Sequence, residues 1–119
     1  MVASNSKAGK PRTPLPGRPV RGSRTDRPTM ALLDLLGRRW ALRILWELRG
    51  GESLTFRDLQ ARSGDISSSV LNDRLRELRE AGIVSAAPPG GYQLTAAGRS
   101  LLTALEPLDA WAKAWARGR

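Results

Sequence analysis

The chemistry this chain offers is concentrated in one stretch, Ile66 to Val84, which reads ISSSVLNDRLRELREAGIV. Leu71, Leu75 and Leu78 recur at spacings of four and three, which lines them along one side of an α-helix and obliges that side to pack inward. At about 100° per residue the opposite side carries Ser69, Asn72, Asp73 and Arg76, with Ser68 beside them near the amino end. These are short or fork-shaped hydrogen-bonding side chains. An Asn amide pairs bidentately with an adenine edge, and a Ser hydroxyl serves several base edges. Ser68, Ser69, Asn72, Asp73 and Arg76 are therefore candidates for reading base pairs in the groove of a DNA duplex, the alternative being an ordinary solvated helix surface. Asp73 would repel phosphate, so it must accept from a cytosine amine, restrain Arg76, or lie off the DNA. Arg76 has the reach of a base reader or a phosphate clamp, with an ion pair to Glu80 at i+4 as its alternative.

Further basic and polar groups are candidates for the phosphate backbone. Ser67 is the N-cap of the helix just described. Arg74 lies on the flank of the leucine stripe, where a phosphate contact and an ion pair with Glu77 are both open. Arg38 and Arg39 are expected to begin an earlier helix, an unfavourable end for cations, which suggests that they serve something outside it. Arg57, near the start of another helix, belongs to the same class.

These side chains need elements to hold them. Thr29 is a plausible cap for a short helix through Leu36, and a second helix over about Arg38 to Arg49 is expected to bury Trp40, Ile44, Leu45 and Leu48. Trp40 and Trp46 sit among leucines at helical spacing and read as core rather than as a base-stacking platform. Thr55 followed by Asp58 is a capping-box pattern opening a third helix with Phe56 and Leu59 on its buried side. Ser63, Gly64 and Asp65 make a turn and Ile66 a buried plug. Two short helices joined this way, the second displaying polar side chains, match a helix-turn-helix. Gly82 stops the second of them, and two strands, about Ile83 to Ala87 and Gly91 to Leu94, form a wing around Pro88, Pro89 and Gly90. Thr95 caps a last helix to about Ala116, which Pro107 should kink. Its Leu101, Leu105, Leu108, Trp111 and Trp115, with Leu32 and Leu33 of the first helix, exceed what one small core needs. They are the candidates for a homodimer interface, the alternative being that the last helix folds back over its own core. The fold class is thus α+β and mostly helical: a winged helix-turn-helix with a two-stranded wing and terminal dimerisation helices.

Composition narrows the partners. The chain has 119 residues and a formal charge of +9, which favours a polyanion. Residues 1–28 hold seven basic groups against one acid and five of the eight prolines, leaving thirteen basic against ten acidic groups, or +3, for residues 29–119. The first 28 residues have almost no large apolar side chain and are expected to form a disordered basic tail. That tail is either an arm adding phosphate or minor-groove contacts or a solvated segment that aids solubility. Neither Cys nor His occurs, which removes disulfides, thiolate nucleophiles, imidazole bases and the usual zinc ligands together. No P-loop or dinucleotide fingerprint is present, and the carboxylates fall at caps, turns and helix surfaces. No cofactor, no metal and no enzymatic activity are expected. The absence of a long apolar run points away from the membrane and towards a cytoplasmic protein.

Taken in order, LLDLLGRRW (32–40), ILWEL, TFRDLQ (55–60), the segment from Ile66 to Val84, and YQLTAAGRSLLTALEPLDAW (92–111) resemble the HxlR-type winged-helix transcriptional regulators, relatives in shape of the MarR group. The resemblance covers about residues 27–117. It implies a homodimer joined through its terminal helices, with two recognition helices in successive major grooves and a regulatory role, here expected to be repression at an inverted repeat. A winged helix that meets protein rather than DNA is the rival reading. Two departures stand out. Family members often carry a Cys followed by Pro ahead of the first helix, and some use that thiol as a sensor; Arg27 and Pro28 stand there in this chain, so thiol sensing is excluded. The family also tends to have a longer wing with a basic residue early in its first strand, where this chain has Ala86 and a compact tip, so wing contacts should be weak.

Overall fold

The structure is a computed structural model, and it describes residues 13–17 and 27–119. Most of the basic tail expected from the sequence lies outside the described residues. The chain divides into two units, Met1–Arg38 and Arg39–Arg119.

In the first unit, helix α1 spans Pro28–Leu36. Its N-cap is Arg27, and Pro28 takes the first helical position, where a missing N–H costs nothing. Thr29, expected to be the cap, is inside the helix. Ala31, Leu35 and Leu36 are buried, Leu32 is half-buried, and Met30 and Leu33 are exposed.

In the second unit, helix α2 spans Ala41–Glu47, shorter at both ends than the sequence suggested. Trp40 adopts a left-handed conformation, φ 78°, which bars residues 38–40 from the helix. Strand β1, Leu54–Thr55, leads directly into helix α3, Phe56–Arg62. Helix α4 spans Ser68–Glu80, strands β2 and β3 span Val84–Ala87 and Gly91–Leu94, and helix α5 spans Ala96–Arg117. The helix runs without interruption through Pro107.

The sheet has three strands rather than the two of a simple wing, in the order β1-β3-β2 and all antiparallel. Leu54 lies opposite Tyr92, and Ala86 opposite the same residue from the other side. β1 therefore fastens the wing hairpin to the start of α3. The closeness is enforced at Gly91, where an added Cβ would stand 3.1 Å from the Leu54 carbonyl oxygen. The core gathers Ile44, Leu45, Leu48, Leu59, Leu71 and Leu78, each at most 1% exposed, and Ile66 plugs the turn as expected.

Side-chain caps fix where α3, α4 and α5 start. The capping box of α3 is complete: Asp58 N–H donates to Thr55 Oγ1 and Thr55 N–H donates to Asp58 Oδ2, each at 3.0 Å. The Thr55 hydrogen bonds hold the Asp58 carboxyl below the usual carboxylate range. At α5, Thr95 Oγ1 accepts from Gly98 N–H at 3.0 Å while its hydroxyl donates to the Gly82 carbonyl at 2.6 Å. That arrangement knits the last helix to the junction between α4 and the wing.

Candidate nucleic-acid interface

α4 carries its leucines inward and its polar side chains outward. Leu71, Leu75 and Leu78 are buried, while Ser68, Ser69, Asn72 and Arg76 are exposed and Asp73 is half-buried. The amino end is built with care. Ser67 Oγ accepts from Val70 N–H at 3.2 Å, so the expected cap is present and its hydroxyl proton is still available to a second acceptor. One turn of chain earlier, the Gln60 amide of α3 donates to the Ile66 carbonyl at 3.0 Å and to Ser68 Oγ at 3.2 Å. Asp65, at φ 60°, turns the backbone, and its N–H donates to the Gln60 carbonyl at 3.1 Å. Both the main chain and the side chain of Gln60 thus set the position of the turn and the first exposed serine. Sequence reading missed this residue, because Gln on a short helix has no spacing that points to a partner six and eight positions on.

The arginines sort themselves by burial. Arg74 is 17% exposed and donates to Glu77, itself 4% exposed, so the ion-pair alternative is the one realised and a phosphate role for Arg74 is set aside. Arg76 faces three carboxylates: Asp73 at 3.8 Å, Glu80 at 3.8 Å and Glu77 at 4.0 Å. Both alternatives open to it from spacing, restraint by Asp73 and pairing with Glu80, are present together. Arg79 is exposed and, with Arg76, Val84 and Ser85, lines an open groove of about 480 Å³ between α4 and β2. It is a basic group at the wing that the sequence reading did not single out, although its spacing of three from Arg76 puts it on the same side.

The remaining candidates are placed differently. Arg57 is exposed in the first turn of α3. Arg39 is exposed in the turn before α2, its guanidinium 5.2 Å from the Trp40 ring centre, and Arg38 belongs to the first unit. Neither opens a helix, because the left-handed Trp40 delays α2 to Ala41, so the helix-dipole argument for these two no longer applies. Trp40 is half-buried and Trp46 is 52% exposed, against the expectation that both are core. The Arg49 guanidinium covers Trp46 at 3.8 Å and also donates to its carbonyl, which gives the ring a polar lid in place of a packed one. Along α5, Leu101 and Leu105 are half-buried, whereas Leu108, Trp111 and Trp115 are more than half exposed. The two indole rings stack with centroids 5.8 Å apart.

The family model for HxlR-like helix-turn-helix proteins matches residues 35–119. The chain belongs to the HxlR-like helix-turn-helix family. Its relatives include the HTH-type transcriptional regulator YvaP of Bacillus subtilis, 33% identical over 89 residues that cover 70% of this chain and 82% of YvaP. Another is the HTH-type transcriptional regulator BH0655 of Halalkalibacterium halodurans, 30% identical over 72% of this chain and 81% of that protein. Among solved structures, quinone-bound YodB from B. subtilis superposes with a TM-score of 0.67 at 32% identity, covering 73% of this chain and 97% of YodB. A possible HxlR family transcriptional factor from Thermoplasma volcanium gives a TM-score of 0.64 at 28% identity over 76% of this chain and 86% of that one. As a helix-turn-helix regulator of the HxlR type, the protein is a DNA-binding transcription regulator with a winged-helix fold. Its family consists of regulators, not enzymes. Among the described residues no helix is long and apolar enough to cross a membrane, and no group of His, Cys, Asp or Glu could hold a metal ion.

Proposed function

We propose that the protein is a sequence-specific regulator that binds duplex DNA as a homodimer, places α4 of each protomer in the major groove of an inverted repeat, and represses transcription from the cytoplasm. The observation that carries this reading is the exposed edge Ser68, Ser69, Asn72 and Arg76, held at its start by the Ser67 cap and the Gln60 hydrogen bonds. A groove reader must hold its contacts before the DNA arrives, and this edge is braced at its start by its own N-cap and by Gln60 of α3. Ser68, Ser69, Asn72 and Arg76 are assigned to base edges, with Asp73 beside them. Ser67, Arg39 and Arg57 are assigned to phosphates, and Arg79 joins them at the wing. Arg38 is retained as a phosphate candidate on its charge alone. Charge on the basic tail adds affinity without sequence choice.

The homodimer is supported by α5. Leu108, Trp111 and Trp115 recur at spacings of three and four and all lie exposed, an apolar stripe that a second copy would cover. α1 adds exposed Met30 and Leu33, beside half-buried Leu32. Repression is the outcome that asks for nothing further, since a dimer seated on two half-sites already excludes other proteins from that stretch of duplex.

The test is a selection of bound fragments from genomic DNA followed by footprinting. The expected result is an enriched inverted repeat with two protected half-sites, bound more weakly as salt rises. Recovery of no preferred sequence would remove the DNA-reading assignment and favour a winged helix that meets protein.

A further inference from the structure

We propose that Asp73, Glu77 and Glu80 form an acidic cage around Arg76 that suppresses its contact with the phosphates of arbitrary duplex DNA, making these carboxylates specificity-determining residues. The inference rests on the DNA-binding reading above. Its starting point is a charge anomaly. The chain carries +9, yet α4 holds three carboxylates, Asp73, Glu77 and Glu80, against three guanidinium groups, Arg74, Arg76 and Arg79. The one helix assigned to the groove is therefore neutral in a protein that is basic elsewhere.

Geometry shows where that neutralisation is spent. One terminal nitrogen of Arg76 lies 3.8 Å from Asp73 Oδ1 and 4.0 Å from Glu77 Oε2, and the other lies 3.8 Å from Glu80 Oε1. Carboxylates thus stand at both prongs of the fork. Glu77 is buried and fixed by its hydrogen bond with Arg74, whereas Asp73 and Glu80 are 27% and 47% exposed. Every distance to Arg76 exceeds that of a hydrogen bond, so the guanidinium keeps its directed donors while its charge is screened. The cage blunts the long-range attraction and leaves the short-range chemistry intact.

A phosphate and a base edge feel this differently. A phosphate bound to Arg76 must also approach the caging carboxylates, and like charges a few ångströms apart offset most of the gain. A guanine edge is uncharged and offers two acceptors in the geometry the fork requires, so it collects two directed hydrogen bonds without that repulsion. Selectivity is a difference of affinities, and a repulsive element aimed at the wrong target raises it as effectively as a new contact to the right one.

The experiment measures binding of the full chain by fluorescence anisotropy across a salt series. One probe is a fragment recovered by the genomic selection and the other a duplex of the same length and composition with its sequence shuffled. Asp73→Asn combined with Glu80→Gln keeps side-chain shape and removes both partly exposed walls. This variant is expected to bind the shuffled duplex roughly three- to tenfold more tightly at moderate salt. Its slope of log affinity against log salt should steepen by about 0.9, one phosphate contact. Tightening on the selected fragment should stay under about twofold, and in an Arg76→Gln background the two amides should change shuffled-duplex affinity by less than about twofold. Equal tightening on both duplexes, unchanged binding to the shuffled one, or a gain that survives Arg76→Gln would each overturn the cage. Wild-type protein that does not distinguish the two duplexes would instead overturn the DNA reading on which it rests, and the cage with it.

Discussion

At the residue scale, Asn72 is the sharpest test of base reading. It is exposed on α4 one turn before Arg76 and carries an amide that offers a donor and an acceptor together. Asn72→Ala should cost about 1 to 3 kcal/mol on the selected fragment and little on a shuffled duplex, measured by anisotropy at fixed salt. Equal losses on both would show that this side chain supports binding without reading sequence. Which residues face outward on α4 was legible in the sequence, because three buried leucines fix the helix rotation. Which partners the arginines take was not. Spacing allowed Arg74 either a phosphate or Glu77, and burial decided for Glu77; the sequence offered Arg76 the carboxylates of Asp73 and Glu80, where three converge on it while its fork stays exposed. Gln60 was invisible for a different reason: its partners, the Ile66 carbonyl and Ser68, are brought to it by a turn whose path depends on the left-handed Asp65.

At the element scale, three helix starts marked by a capping hydroxyl were legible, whereas Thr29 lies inside α1 instead of capping it, and starts set by backbone conformation were not legible. Thr55, Ser67 and Thr95 each accept the expected backbone hydrogen bond. The start of α2 instead depends on the left-handed Trp40, and β1 is two residues long and exists through pairing with β3, more than thirty residues on. Neither leaves a periodic trace. Two predictions belong here. The Asp58 carboxyl is held below its ordinary value by the Thr55 hydrogen bonds, so its contribution is fully present above the ordinary carboxylate range and is lost as pH falls through the lowered value. The protection factor of the amides at the start of α3, that is, exchange corrected for the intrinsic rate at each pH, should therefore fall on acidification in the wild type, while in Asp58→Asn it should already be lower at neutral pH and lack that acid step. Gly98 supplies the second. It is buried at the start of α5, and an added Cβ would collide with the Ile83 carbonyl and press on the Leu94 side chain. Since Ile83 also accepts from Thr95 N–H at 3.0 Å, it cannot retreat cheaply. Gly98→Ala should destabilise the fold by about 1 to 3 kcal/mol, read as a lower midpoint in denaturant.

At the scale of the whole molecule, the proposed function depends on a second copy. A single α4 covers a few base pairs, whereas two joined by a two-fold axis read half-sites about 10 base pairs apart and square the discrimination of one. The material for that axis is in α5. Leu108 and Trp111 are each 61% exposed and Trp115 is 53% exposed, with the indoles stacked on one another. On the same helix the polar pair of Lys113 with Asp109, at 3.1 Å, points to a separate solvated side. Large apolar side chains held in order on one stripe of a helix cost free energy in water that burial against a copy would recover. Because these residues are exposed in the protomer, charging them leaves the core untouched. Leu108→Glu with Trp111→Glu should therefore yield a folded species with the wild-type helical signal by circular dichroism but half the wild-type mass by light scattering. On a selected fragment that monomer should protect one half-site at a time, and binding should lose its dependence on the spacing between half-sites. A wild-type protein that is already monomeric at micromolar concentration, or a doubly charged variant that remains dimeric, would move the interface elsewhere and leave the stripe on α5 for another partner.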